Sequence, residues 1–344
     1  MSDPVADLES AYSAQDSVDG TADDAGSPFR GYFHQLEELK RRYPRLNIFI
    51  SLEGRASDFA QDAQPENRDA FVRSCVDLYL RGQFAPGVTH PGLFDGVDID
   101  WESPHRDDAA NFQALIEEFR RQIKAVRPGL RLAVALEKSP HMLPGTDFKA
   151  LVPLVDEFGI MNYDYAGPWE HTTGFVAPLF SSSGDHGHSG SVQSSIDQFL
   201  AAGVPAGKML MGLPFYGYGW RDVDDRDNGL HQPGKAVRGD RPYSFIRAQG
   251  QPSQTYRDPR SQAPWIFDGQ TFWTYEDPVS IRFKASYASR RRLAGVMIWE
   301  LSGDTTDGAL LDSAWRSLHH PLRSRIFARA LATPPKHSAA VAQR

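Results

Sequence analysis

The stretch FDGVDIDWE, residues 94–102, decides the fold and indicates the kind of site to look for. It is a short apolar run interrupted by acids, which is typical of a buried β-strand. Side chains alternate along a strand, so Asp98, Asp100 and Glu102 lie on one face and the apolar residues on the other. Buried carboxylates are costly unless they are hydrogen-bonded, paired or protonated. Three of them on one face therefore indicate a functional site.

Two other interpretations of these three acids stay open. Carboxylate oxygens suit calcium or magnesium, although a strand directs alternate side chains along a line rather than around an ion. No second acidic cluster of matching density occurs in the sequence, so we expect no metal and no cofactor. The remaining interpretation is a purely structural hydrogen-bond network.

Composition limits the classes of protein that remain. A chain of 344 residues is long enough to bury a full core and to form one α/β barrel. The net charge of -7 argues against a general nucleic-acid or anionic-membrane binder, and no apolar run reaches membrane-spanning length. Cys75 is the single cysteine, which excludes an internal disulfide. Residues 1–26 lack the basic-then-apolar layout of a secretory signal, so the chain as written predicts no export segment.

Helical periodicity alternates along the chain with short apolar runs, which predicts helices and strands in turn. The predicted strands are 46–52, 94–102, 130–136, 158–163, 208–213 and 294–299, and the predicted helices are 32–43, 66–82, 112–126, 192–203, 278–289 and 310–318. This order indicates an α/β protein with a parallel sheet, best matched by a (β/α)8 TIM barrel. A doubly wound open sheet is the alternative, but no glycine-rich phosphate loop follows the first strand. The active site of a barrel lies at the carboxyl ends of its strands, where Glu102 lies.

The chain is predicted to contain one catalytic domain with an insertion. Residues 28–216 and 291–320 are assigned to the barrel. Residues 217–290 are too long a gap between barrel elements to lack structure, and they predict a small α+β insertion between the last two barrel strands. Residues 1–27 are predicted to be a loop or disordered lead-in, and 321–344 a disordered tail.

The acidic strand also matches a known motif. Asp95-x-x-Asp98-x-Asp100-x-Glu102 fits the DxxDxDxE pattern, and the chain resembles glycoside hydrolase family 18, the chitinase family, over roughly residues 29–318. The resemblance implies two further barrel strands before 46–52, and residues 1–45 contain no run that matches them. A bacterial-type chitinase that is N-terminally truncated is therefore expected. Six strands in an open sheet would expose two long edges.

The resemblance extends to residues outside this strand. Ser51, in ISLEG, aligns with a strand-end serine that hydrogen-bonds the buried aspartates, and Glu53 stands where the family has the first of two glycines. Met161, Tyr163 and Asp164 align with the family's M-x-Y-D-Y segment. Taken alone, that segment would be interpreted as an ordinary strand end.

Aromatic side chains complete the expected sugar site. Tyr216 lies in LPFYG, which resembles the exit of the seventh strand, and Tyr218 stands where an arginine is common. Trp299, in VMIWE, matches the tryptophan on which the sugar at the cleavage point rests, with a core tryptophan as the alternative. Trp101 is also predicted to bind the substrate. Weaker stacking candidates are Trp169 and Trp220.

The chemistry that the resemblance implies is retaining hydrolysis of β-1,4 bonds between N-acetylglucosamine units, without a protein nucleophile. Glu102 would act as general acid and then general base. Asp100 would hold the acetamido N–H of the substrate, Tyr163 would hydrogen-bond its oxygen, and Asp98 would supply a deeper charge. The expected partner is chitin or a chitooligosaccharide, with no nucleic acid and no membrane. A monomer is expected, and resemblance to the family predicts secretion.

Two alternative functions follow from the same residues. A non-catalytic or defunct chitin- or sugar-binding relative is favoured only by the apparent truncation, because such relatives usually lose the acid and Glu102 is present. An endo-β-N-acetylglucosaminidase that acts on N-glycans shares the acidic motif. The Tyr163-Asp164-Tyr165 segment and the insertion favour chitin over that second alternative.

Overall fold

The computed structural model describes residues 11–182 and 190–322. The chain divides into two compact units, Met1–Phe158 and Gly159–Arg344. The expected lead-in at 1–27 and tail at 321–344 lie partly outside the described residues and stay predictions.

The first unit contains five helices and six strands among its described residues. The helices are α1 Tyr32–Arg42, α2 Ala56–Asp62, α3 Pro65–Cys75, α4 Ala109–Val126 and α5 Phe148–Leu151. The strands are β1 Phe49–Glu53, β2 Gln83–Ala85, β3 Val88–Thr89, β4 Gly96–Asp100, β5 Arg131–Leu136 and β6 Glu157–Ile160, the last of which ends beyond the unit.

Strands β1, β4 and β5 pair in parallel in that order. Gly96 opens β4 where its neighbours leave no room, since a Cβ there would lie 2.5 Å from the ring of Phe49 and 2.6 Å from the carbonyl oxygen of Arg131. Helix α4 forms because apolar residues recur at helical spacing along it. The buried positions of that apolar face are Phe112, Leu115, Ile116, Phe119 and Ile123.

Asp95, the first acid of the motif, holds the amino end of β4 in place. Its Oδ2 accepts hydrogen bonds from Lys40 Nζ at 2.8 Å and from the Ile48 amide at 2.9 Å, and its Oδ1 lies 3.3 Å from Arg127 Nη2. These contacts join β4 to α1, to the residue before β1 and to the end of α4. Asp95 thus lies at the opposite end of the strand from Glu102 and has a structural role.

The second unit contains the remaining elements. Its helices are α6 Val192–Ala202, α7 Tyr243–Arg247, α8 Pro278–Arg290 and α9 Ala309–His319. Its strands are β7 Met209–Pro214, β8 Tyr216–Arg221, β9 Lys235–Ala236, β10 Arg241–Pro242, β11 Thr255–Arg257, β12 Pro264–Phe267, β13 Phe272–Thr274 and β14 Gly295–Trp299. Strands β7 and β14 pair in parallel.

Between β7 and β14 the chain forms a second, antiparallel sheet with the strand order β10-β8-β13-β12-β11, and β9 pairs with β8. Its core is aromatic, with Trp220 and Phe272 fully buried. This is the small α+β insertion that the sequence predicts.

The parallel strands of the described residues are β1, β4, β5, β6, β7 and β14, which is the number predicted. The predicted strand boundaries differ from the observed ones by up to three residues, and β6, for example, ends at Ile160 rather than at residue 163. Within 11–182 and 190–322, none of the helices combines the length and apolar character needed to cross a membrane.

Candidate active site

The three acids of β4 and its extension differ in exposure. Val97 and Ile99 are fully buried on the apolar face. On the other face, Asp98 is partly buried, Asp100 is 9% exposed, and Glu102, two residues beyond the strand, is exposed. Asp100 has a smaller exposed fraction than Asp98, whereas burial is the largest cause of the raised pKa of both side chains. That Asp98 is the deeper charge stays a prediction.

Ser51 and Asp98 are brought together by strand register, as expected. Strand β1 pairs with β4 so that Ser51 lies opposite Asp98, and Ser51 Oγ donates a hydrogen bond to Asp98 Oδ2 at 2.8 Å. Burial raises the pKa of Asp98, the Ser51 hydrogen bond opposes that rise, and the charge of Glu157 adds to it. The net effect is a raised pKa, so Asp98 loses its proton less readily than an ordinary aspartate.

Asp100 has the electrostatics expected of a proton-holding group. Burial raises its pKa to about 7, and repulsion from Asp98, Glu102, Glu53 and Glu137 contributes to the rise. Its Oδ1 atom is buried and has no hydrogen-bond partner among the described residues. A buried oxygen without a partner is costly in an ionised carboxylate, so the arrangement favours the protonated form.

Glu102 follows β4 at the carboxyl end, next to a short turn. Ser103 has a left-handed backbone conformation with φ of 48°, and its hydroxyl donates to Glu137 Oε1. Glu137 directly follows β5, so two neighbouring strand ends each place a carboxylate near Asp100. A general acid needs this combination of solvent access and nearby negative charge.

Trp101 does not lie where a substrate contact would have to be. It is 1% exposed, and its indole stacks on Phe59 with ring centroids 5.5 Å apart and meets Phe112 edge-on at 5.7 Å. Strand alternation directs it into the core, away from the acids. The prediction that Trp101 binds substrate is therefore wrong.

In the second unit, Asp164 is held by two tyrosines. Tyr216 donates to Asp164 Oδ1 at 2.7 Å and Tyr218 donates to the same oxygen at 3.0 Å. The ring of Tyr163 lies edge-on to that of Tyr216, with centroids 6.0 Å apart. Burial and the neighbouring Asp164 raise the pKa of Tyr218, so its hydroxyl stays protonated and can donate.

The segment that carries Met161 and Tyr163 is a pair of tight turns rather than a strand. The Asn162 amide donates to Ile160 and the Tyr163 amide to Met161, each at 2.8 Å. The predicted strand at 158–163 therefore does not extend to Met161 and Tyr163. Tyr163 and Tyr216 belong to one buried cluster, and Met161 packs against that cluster.

Tyr218 was missed as a partner of Asp164. The sequence indicated only that it replaces an arginine, whereas Tyr216 and Tyr218 lie on one face of β8 and reach the same carboxylate. The alternation Tyr-Gly-Tyr was the signal that could have paired them.

The tryptophans of the second unit separate into exposed and buried members. Trp299, 47% exposed, ends β14 opposite Pro214 of β7. Trp169 is 54% exposed and meets Tyr218 edge-on at 5.6 Å. Trp220 is fully buried and donates to the Glu170 carbonyl oxygen, so it is a core residue and not a stacking platform.

No group of three or more histidine, cysteine, aspartate or glutamate side chains within 11–182 and 190–322 is arranged to hold a metal ion. The carboxylates that act on Asp100 lie along β4 and its extension and at the ends of β1 and β5.

The chain is similar to known proteins in sequence and in fold. The sequence model of "Glycosyl hydrolases family 18" matches residues 6–304. Chitinase C of Streptomyces lividans is 29% identical over 335 residues, covering 93% of this chain and 52% of that protein, so the chain spans about half the length of this relative.

Two solved structures resemble the fold. The catalytic domain of psychrophilic chitinase B from Arthrobacter TAD20 has a TM-score of 0.82 and 30% identity, with 90% of this chain and 78% of that chain covered. A family 18 N-acetylglucosaminidase from Paenibacillus barengoltzii has a TM-score of 0.73 and 30% identity, with 83% and 86% covered. The predicted fold class, a TIM-barrel fold of which six parallel strands were expected, is confirmed, since the described residues form six such strands. The family match runs along most of the chain, and the chain belongs to the glycosyl hydrolases family 18.

Proposed function

We propose that this chain hydrolyses β-1,4 bonds between N-acetylglucosamine units of chitin or chitooligosaccharides, with Glu102 as general acid and base. The observation that carries the proposal is the carboxylate set of β4. Burial and the neighbouring carboxylates raise the pKa of Asp100 to about 7, and Glu102 is exposed two residues farther along the chain. A secreted enzyme is proposed on family membership, and a monomer stays a prediction.

The proposed reaction has two steps. Glu102 donates its proton to the oxygen of the breaking glycosidic bond, while the acetamido oxygen of the substrate bonds to the anomeric carbon from the other side. Water then attacks that carbon, the acetamido oxygen leaves, and Glu102 takes the proton of the water. Configuration is retained because each of the two displacements inverts the anomeric carbon.

The other carboxylates act on the proton and on the acetamido group. Asp100 and Glu102 lie two residues apart, which is roughly 6–7 Å along an extended chain. Asp100 would accept a hydrogen bond from the acetamido N–H with its unpartnered Oδ1, and it would stabilise positive charge on the ring once its proton has moved to another carboxylate of the coupled set. Asp98, bound by Ser51, would share the remaining proton as part of a coupled set. Tyr163 and Asp164 are proposed to contact the sugar.

Hydrolysis of chromogenic chitobiosides and chitotriosides by the full chain tests this function. We expect turnover, with release of the chromophore and retention of configuration at the new reducing end. A chain that is folded by circular dichroism and releases no chromophore at any pH would overturn the proposal. Binding of chitooligosaccharides without turnover would then identify a sugar-binding relative, and activity on N-glycans alone would identify the endo-glycosidase.

Trp299→Ala is expected to lower kcat/KM on the chitotrioside roughly 10- to 100-fold, because an exposed indole face that a sugar ring would cover is removed. The matched control is Trp315→Ala on α9, where a tryptophan is 63% exposed outside the proposed site. Equal losses in the two variants would remove Trp299 from substrate binding.

Tyr218→Phe is expected to raise KM roughly fivefold with a smaller change in kcat, because Asp164 loses one of its two hydroxyl donors and is held less firmly toward the sugar. Tyr43→Phe, which removes the hydroxyl of an exposed tyrosine in the first unit, is the control. An unchanged KM for Tyr218→Phe would show that Tyr216 alone positions Asp164.

A further inference from the structure

Glu53 is placed beside Asp100 by strand register. It is the last residue of β1, Asp100 is the last residue of β4, and the two are paired in the parallel ladder. Neighbouring strands lie about 4.8 Å apart. The sequence signals Glu53 only as a charged residue where the family has a glycine, and the proposed reaction assigns it no role.

The side chains of Glu53 and Asp100 share one face of the sheet. Ser51 and Asp98, one register step earlier, point to the same face, because Ser51 Oγ donates to Asp98 Oδ2. Side chains two residues apart return to the same face. Glu53 therefore projects beside Asp100, on the face that carries the acids.

The charged groups that raise the pKa of Asp100 are carboxylates. They come from its own strand and its extension, from β1, and from the residue after β5: Asp98, Glu102, Glu53 and Glu137. The cation nearest along β1 is Arg55, which is exposed and pairs with Asp58 at 3.0 Å. Glu53 is itself exposed, so solvent screens its charge without removing it.

We propose that Glu53 is a positioning residue for the catalytic proton, which it keeps on the Asp98–Asp100–Glu102 set up to a higher pH than these three groups would hold it alone. The inference deepens the proposed function and rests on it. A negative charge beside Asp100 makes loss of the proton costlier, and the proposed first step needs that proton at Glu102. The alkaline limit of activity then depends on a residue that touches no substrate.

The pH profile of Glu53→Gln tests the proposal. Glutamine keeps the size and polarity of the side chain and removes its charge. We expect the alkaline limb of kcat/KM to move to lower pH by roughly half to one unit, and Glu53→Gly to move it in the same direction. Glu66→Gln, which removes an exposed charge from the first turn of α3, is the control and should leave the limb in place. A Glu53→Gln profile that superimposes on that of the wild type would overturn the proposal.

A second readout does not require turnover. The carboxyl carbon of Asp100 can be titrated by ¹³C NMR in the wild type and in Glu53→Gln, and its midpoint should fall by a similar amount in the variant. An unchanged midpoint would overturn the role of Glu53 even in an active enzyme. A chain that shows the shift and hydrolyses nothing would overturn the proposed function while the coupling of Glu53 to Asp100 stands.

Discussion

Replacing Glu102 with glutamine is expected to lower kcat on the chromogenic chitotrioside by roughly 10²- to 10⁴-fold. Glutamine has the same shape but carries no proton that it can give to the leaving oxygen. KM should change little, because Glu102 is exposed and the amide still offers hydrogen bonds to the sugar. Steady-state rates at the pH optimum of the wild type measure the effect.

The identity of the leaving group separates acid catalysis from other effects of the same substitution. An aryl glycoside with a strongly acidic phenol needs little protonation, so Glu102→Gln should lose less activity on it than on a glycoside with a weakly acidic phenol. Glu66→Gln controls for loss of a negative charge in the same unit. Equal losses on both leaving groups, or a rate within a few-fold of the wild type, would remove Glu102 as the acid.

The acidic strand could be predicted because the alternation of apolar and acidic residues lies within the strand itself. Alternation alone separates Val97, Ile99 and Trp101 from the three acids, and the burial of these three residues agrees with it. Trp101 was assigned to the substrate all the same, against that alternation. How β1 covers Asp98 could not be derived from the acidic strand alone, because Ser51 reaches Asp98 through the pairing of two strands.

The elements that were missed depend on contacts between distant residues. The insertion sheet pairs Tyr218 with Thr274 and Trp265 with Thr274 through strands of two to six residues, which are too short for a period to be recognised. The end of β6 was set too late because Met161 and Tyr163 continue the apolar run. These side chains are partly buried or buried in turns, so hydrophobicity alone did not mark where the strand ends.

The raised pKa of Asp100 makes folding stability depend on pH in a direction that can be worked out. Burial, with repulsion from neighbouring carboxylates, raises its pKa to about 7 from the ordinary 3.8. Between these values the folded protein binds more protons than the unfolded chain, so the free energy of unfolding falls as pH rises. Above pH 7 the free energy of unfolding is lower by about 4 kcal/mol than it is well below pH 4. This loss belongs to the whole set of carboxylates, because they titrate together.

Asp100→Asn is therefore expected to be more stable relative to the wild type at pH 8 than at pH 4.5, by about 2 to 4 kcal/mol. Asparagine stays neutral, so the variant does not ionise a buried group as pH rises. Urea unfolding of both proteins at several pH values measures the difference, and Asp107→Asn, at an exposed aspartate of the same unit, provides the control. A difference between Asp100→Asn and the wild type that stays constant with pH would mean that Asp100 ionises at its ordinary pKa, and Asp100 would then not hold a proton within the coupled carboxylate set at the pH of hydrolysis.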